Sequence, residues 1–188
     1  MSEDRVLADG AEELAGMAAR VLRAASSRKW QLAAAESCTG GLLASLLTDI
    51  EGLSGGFERG FVCYSPEAKA EMLGIERIAI ERHGAVSREI ALEMAKGALA
   101  FSHADLAAAI TGFAGPGGKH DEAGLVHIAI QVKGEKPLHR ECHFGNASRD
   151  RARQLATHAA LEMLASAVEN APTEPAPLPT GAGTDAIS

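Results

Sequence analysis

Ser37 stands where a short apolar run, residues 31–36, meets the glycine-rich start of a predicted helix, Thr39-Gly40-Gly41. A serine at such a junction presents its hydroxyl on a sharp turn. The free backbone N–H groups of a first helical turn then lie nearby, able to hold a developing oxyanion, and the helix dipole adds to the effect. That is chemistry for acyl transfer, although the GxSxG pattern of a nucleophile elbow is absent. Ser and Thr are also preferred helix caps, and the pattern alone leaves capping open for Ser37 and Thr39.

A serine nucleophile needs a base. In Tyr64-Ser65-Pro66-Glu67-Ala68-Lys69, Ser65 and Pro66 predict a helix start, so Lys69 falls one turn inside. Burial and the positive helix end both disfavour an ammonium there, and a neutral amine can accept a serine proton. Serine–lysine pairs are a known variant of the catalytic triad. Tyr64, the chain's one tyrosine, would relay a proton or orient the amine. The alternative for Lys69 is an ordinary solvated lysine.

Two further segments suit a ligand. Thr111-Gly112-Phe113-Ala114-Gly115-Pro116-Gly117-Gly118 lets a ligand approach the backbone closely, and its amides can cradle an anion. No Gly-Lys-Ser/Thr follows, so it is not a Walker loop, and a plain turn is the competing reading. Arg149, Arg151 and Arg153 open the last predicted helix. They read as a phosphate clamp or as solvated charges, with Arg149 and Arg153 on one face. Among the seven histidines there is no HExxH pattern. His139 and His143 would share a strand face, but a metal site needs a third ligand, so no metal or other cofactor is expected. Cys38 is a rival nucleophile whose side chain should diverge from that of its neighbour Ser37.

The elements that must position these residues follow from hydrophobic period. Helices are predicted at 10–26, 39–49, from Ser65-Pro66 to about Gly74, in a short piece ending at His83-Gly84, from Ser87 through Phe101, and at 149–168. Apolar strands are predicted at 31–36, 57–64 and 106–111. Residues 125–132 and 139–144 read as a hairpin or two neighbouring strands, with Gly134 in the turn. The alternation predicts an α/β fold: a three-layer α/β/α domain around a mixed, mostly parallel five-stranded sheet. Ligands in such sheets bind beyond the carboxyl ends of the strands, where Ser37, Tyr64 and Thr111 all fall.

Composition sets the outer bounds. The 188 residues carry 18 Lys and Arg against 25 Asp and Glu, a net charge of −7. With no basic run, a nucleic-acid partner is not expected, although a local cluster can still hold one phosphate. Three cysteines at wide spacings suggest neither a disulfide framework nor a metal site. The acidic start is no signal peptide and no apolar run reaches membrane length, so a cytoplasmic location is expected. Residues 1–170 form one domain, and 171–188, rich in Pro, Ala, Thr and Gly, read as a disordered tail.

Taken together, several motifs resemble the CinA C-terminal domain family of nicotinamide-nucleotide amidohydrolases. They are Ala35-Glu36-Ser37-Cys38-Thr39-Gly40-Gly41, Phe57-Glu58-Arg59-Gly60-Phe61-Val62, Tyr64-Ser65, Glu67-Ala68-Lys69, Met72-Leu73-Gly74, His83-Gly84-Ala85-Val86-Ser87 and the Thr111–Gly118 loop. They stand in the family's order over roughly residues 10–168. The resemblance implies hydrolysis of nicotinamide mononucleotide to nicotinate mononucleotide and ammonia, within pyridine nucleotide recycling. It implies Ser37 as nucleophile, Lys69 as base and Tyr64 as assistant, without a metal. Glu36, Thr39, Gly40, Gly41, Thr111, Gly112, Gly115, Gly117 and Arg149 would bind the nucleotide, a small-molecule partner. A homodimer is compatible with the class. Some relatives carry an additional pyrophosphatase-like domain, and that activity is not expected here. The chain departs from the family at Cys63, where many members have Thr, at Pro66, where they have Asn, and at Asp121-Glu122-Ala123-Gly124, where Lys-Pro-Val-Gly is common. A changed affinity or substrate preference would follow if that loop lines the site. The competing functions are a nucleotide-binding module without catalysis and a competence-related interaction protein.

Overall fold

The computed structural model describes residues 3–115 and 121–172. In chain order the elements are α1 (Glu3–Ser27), β1 (Leu32–Glu36), α2 (Leu42–Thr48), β2 (Phe57–Val62), α3 (Pro66–Leu73), α4 (Arg77–His83), α5 (Arg88–Ala100), β3 (Leu106–Gly112), β4 (Leu125–Val132), β5 (Leu138–His143) and α6 (Arg149–Asn170). The five strands form one sheet in the order β2-β1-β3-β4-β5. β1 pairs in parallel with both β2 and β3. The β3–β4 and β4–β5 pairs are antiparallel. The sheet is therefore mixed, as expected, with its parallel pairs at the β2-β1-β3 end. Among the described residues no helix is long and apolar enough to cross a membrane.

Layering follows from side-chain alternation in the two central strands. Leu32, Ala34, Leu106, Ala108 and Ile110 face one way and pack with α1, α2 and α6. Ala33, Ala35, Ala107 and Ala109 face the other way and pack with residues of α3, α4 and α5. Alanine on facing positions, such as Ala34 beside Ala108 and Ala35 beside Ala109, leaves room for helices on both sides. The three layers thus come from two buried strands that are apolar on both faces.

In the order β2-β1-β3 the connection from β1 to β2 runs through α2 on one face, and that from β2 to β3 through α3–α5 on the other. At that switch point the strand ends leave a crevice. Ser37 follows β1 and Thr111 lies at the end of β3, so both stand at its mouth.

Local signals set the helix that carries Lys69. Ser65 caps α3 by accepting from Ala68 N, Pro66 is its first residue, and Gly74 ends it in the left-handed conformation. Gly97 of α5 lets the end of α3 dock, since a Cβ there would lie 2.3 Å from the Leu73 carbonyl oxygen. Gly97→Ala must separate α3 from α5. The expected result is a stability loss of about 1–3 kcal/mol, read by denaturant unfolding, with a larger fractional loss of any Lys69-dependent activity. Phe101, at the end of the predicted helix, is 50% exposed and caps α5. Its ring covers Gly74, where a Cβ would lie 2.9 Å away. Gly117 and most of the predicted tail, 173–188, lie outside the described residues.

Candidate active site

Lys69 is 1% exposed, the largest fully buried side chain of the protein among the described residues. Its Nζ lies 3.3 Å from Ser37 Oγ, 3.1 Å from Thr111 Oγ1 and 3.2 Å from the Ala85 carbonyl oxygen. There is no carboxylate among these partners. Burial accordingly holds the Lys69 amine below the ordinary lysine value.

The hydrogen-bond directions decide what a neutral amine does here. Thr111 donates its hydroxyl proton to the Ala85 carbonyl at 2.8 Å. Its oxygen can then only accept from Lys69. A neutral amine has two N–H bonds and one lone pair. The N–H groups go to Thr111 and Ala85, and the lone pair is left for the Ser37 hydroxyl. Thr111 and Ala85 thereby aim a base at a nucleophile. Thr111 was expected to bind the nucleotide; the structure puts its hydroxyl on Lys69. Ala85 carries no side-chain signal and was legible only as part of the His83–Ser87 motif.

Ser37 and Lys69 line a pocket of about 290 Å³ bordered also by Cys38, Tyr64, Gly112, Gly115 and Arg149, with Ala85 and Val86 on one wall. Tyr64 is 69% exposed at the rim. Arg149 is the first residue of α6, whose cap Ser148 accepts from Arg151 N. A Cβ on Gly115 would lie 3.5 Å from the Arg149 guanidinium, so the glycine loop and this arginine share one end of the pocket. Cys38 also borders the pocket, while its side chain is buried in the core with α1, α2 and α6, and burial pushes its thiol up to about 11. Such a thiol stays protonated at neutral pH and is a weak nucleophile.

The expected oxyanion donors are rearranged. The helix after Ser37 starts at Leu42, not at Thr39, because Gly40 and Gly41 take left-handed conformations. Buried Glu36 points away from Ser37, as β-strand alternation requires. Its carboxylate accepts from Leu43 N at 3.1 Å and Ala44 N at 2.8 Å. The Leu42 N–H goes to the Thr39 carbonyl. The first turn of α2 is thus already satisfied. Glu36, Thr39, Gly40 and Gly41 stand behind the pocket rather than in its lining. The Thr39 hydroxyl is fully buried with no partner among the described residues.

His139 and His143 do not converge on a metal. His139 Nε2 meets His127 Nδ1 at 3.1 Å, and His143 bonds Glu122 and Glu141 at 2.6 and 3.0 Å. The ring centroids of His127 and His139 are 5.3 Å apart, and a hydrogen bond between the two nitrogens requires one of them to carry the proton and the other to accept it. Among the described residues no group of three or more His, Cys, Asp or Glu could hold a metal ion. Burial keeps His127 and His139 below the usual histidine range, while Glu122 and Glu141 raise exposed His143. The unfolded chain therefore takes up protons at the His127–His139 pair before the folded one does, and stability falls as pH drops below about 6.5. His143 acts with the opposite sign but is screened by solvent. The expected result is a thermal midpoint that falls between about pH 7 and 5.5, with a shallower slope in His139→Asn. An equal slope in both would remove the pair as the cause.

Fold and site together define an α/β/α domain with a buried lysine–serine pair at the switch point of a mixed sheet. The chain belongs to the CinA C-terminal domain family, whose model matches residues 14–168. It is 45% identical over 155 residues to the nicotinamide-nucleotide amidohydrolase PncC of Escherichia coli K12, covering 81% of this chain and 93% of that protein. It is 43% identical to a CinA-like protein of Syntrophus aciditrophicus, over 86% of this chain but 38% of that one. The crystal structure of the competence/damage inducible protein CihA from Agrobacterium tumefaciens superposes with a TM-score of 0.80 at 42% identity, covering 84% of this chain and 96% of that one.

Proposed function

We propose that this protein is an amidase that hydrolyses the carboxamide of nicotinamide mononucleotide, releasing ammonia and nicotinate mononucleotide, in pyridine nucleotide recycling. The observation that carries the reading is the buried Lys69 amine 3.3 Å from Ser37 Oγ on the pocket wall. The similarity to PncC supplies the substrate class.

In this reading neutral Lys69 takes the Ser37 proton as Oγ attacks the carboxamide carbon. The C–N bond then breaks, and Lys69 returns the proton to the departing nitrogen, which leaves as ammonia. Water attacks the acyl-enzyme by the same base and frees the acid. The route uses only protein groups and water. With the α2 amides already bonded, the N–H of Cys38, which borders the pocket, is the candidate for the oxyanion. Tyr64 closes the mouth over the pyridine ring, and Arg149 with the Gly115 backbone takes the phosphate.

The test is ammonia release from nicotinamide mononucleotide by purified protein, beside nicotinamide riboside, which lacks the phosphate. Faster turnover of the nucleotide supports the reading. Absence of ammonia from both would overturn the substrate assignment.

A further inference from the structure

One turn beyond Arg149, on the same face of α6, Arg153 turns away from the pocket toward the loop that carries Ser37. Its Nε donates to the Thr39 carbonyl oxygen at 3.0 Å, and its Nη2 donates to the same oxygen. Thr39 is fully buried two positions after Ser37. The guanidinium fills the space left by Gly40, where a Cβ would lie 2.7 Å from Nη2. Gly40, at φ 62°, thus answers two demands, a left-handed turn and the passage of an arginine.

We propose that Arg153 is a positioning residue for Ser37: it straps the nucleophile loop to α6 and so sets the reach of Oγ to Lys69. The proposal rests on the amidase reading for its kinetic test. Two consecutive left-handed glycines give this loop little stiffness of its own. Within it, Gly40 N–H bonds back to the Ser37 carbonyl at 3.1 Å, and Leu42 N–H bonds to the Thr39 carbonyl at 3.3 Å. Two charge-assisted donors on the Thr39 carbonyl fix the Thr39–Gly40 peptide plane, whose other polar group is the Gly40 N–H. Through that plane the Gly40 N–H is aimed at the Ser37 carbonyl, which holds Ser37 in place beyond β1. Displacement of a reacting group by about 1 Å costs on the order of 100-fold in rate, so a loosened strap is felt in the chemical step. Arg149 and Arg153 then divide the labour of one helix, the first facing the ligand and the second the nucleophile.

The experiment compares wild type, Arg153→Met, Arg153→Lys and Arg149→Met by steady-state ammonia release and by the labelling rate of Ser37 with a fluorophosphonate probe. Arg153→Met is expected to lower kcat by about 10–100-fold with KM changed less than about threefold, and to slow labelling in parallel. Arg153→Lys keeps the charge with a single point donor and should recover part of both losses. It also serves as the test variant should Arg153→Met fold poorly. Arg149→Met should act on KM. Unchanged kcat and labelling in Arg153→Met would overturn the proposal, as would a rise in KM alone, which would make Arg153 a substrate ligand. Labelling needs no nucleotide. If wild type releases no ammonia while Arg153→Met still slows labelling, the amidase reading fails and the positioning role stands.

Discussion

Ser37→Ala is expected to remove at least about 10⁴-fold of the ammonia-releasing activity while the thermal midpoint stays within about 2 °C of wild type. The loss is large because attack by Oγ is the step every later one depends on, and loss of a serine nucleophile elsewhere costs up to about 10⁶ in kcat. The stability change is small for a structural reason. The Ser37 N–H bonds the Ile110 carbonyl at 2.9 Å through the backbone, which alanine keeps. Among the described residues the lost hydroxyl bonds only a lysine that retains Thr111 and Ala85. Coupled measurement of ammonia release and thermal unfolding checks both halves. Residual activity near wild type would transfer the role to Cys38, the other nucleophile on the wall, and Cys38→Ala in the same background would then abolish it.

Lys69→Met should be equally inactive and no less stable than wild type. Burying an amine without a carboxylate works against folding, because desolvation penalises the charged form. Methionine has a similar shape and no such penalty, and Thr111 keeps its bond to Ala85. Activity and stability therefore diverge at this position, as they do where a site stores an unfavourable group for function. Lys69→Arg should not restore turnover, since a guanidinium stays charged and cannot accept the serine proton. A midpoint several degrees below wild type in Lys69→Met would mean that the lysine is structural.

The same burial fixes the sign of the pH profile. The base works only when neutral, so kcat rises as pH climbs through the lowered Lys69 value and is lost as pH falls below it. The unfolded chain keeps lysine protonated up to about pH 10.4, and this group's contribution to stability also grows with pH over that interval. In Thr111→Val, Lys69 loses one acceptor and the lone pair is no longer directed. A lower kcat with a shifted profile is expected there, against a lower kcat with an unshifted profile in Arg153→Met.

By itself the sequence determined the features whose causes are local. Ser65-Pro66 starts α3, Gly74 stops it, Ser87 caps α5, and alternating helices and apolar strands imply a layered α/β domain, because capping and hydrophobic period act within a few residues. The order of motifs likewise singled out Ser37, Tyr64, Lys69 and the Thr111–Gly118 loop as a family signature. Tertiary structure alone decided what those residues do to one another. Nothing local tells a lysine that it will be buried, and Lys69 is so only because α3, packed on α5, brings it to Ser37 and Thr111, 32 and 42 residues away in the chain. The antiparallel β3–β4 pair was equally hidden, since pairing direction is settled between strands rather than within them. Glu36 read in the sequence as a ligand-binding residue, and Arg153 as part of a phosphate clamp or as a solvated charge. The strand alternation turned Glu36 onto the α2 amides, and the packing of α6 carried Arg153 to a carbonyl 114 residues away. A side chain's chemistry is written at its own position, but its partner is chosen by the burial of distant surfaces, and only the folded chain brings those surfaces together.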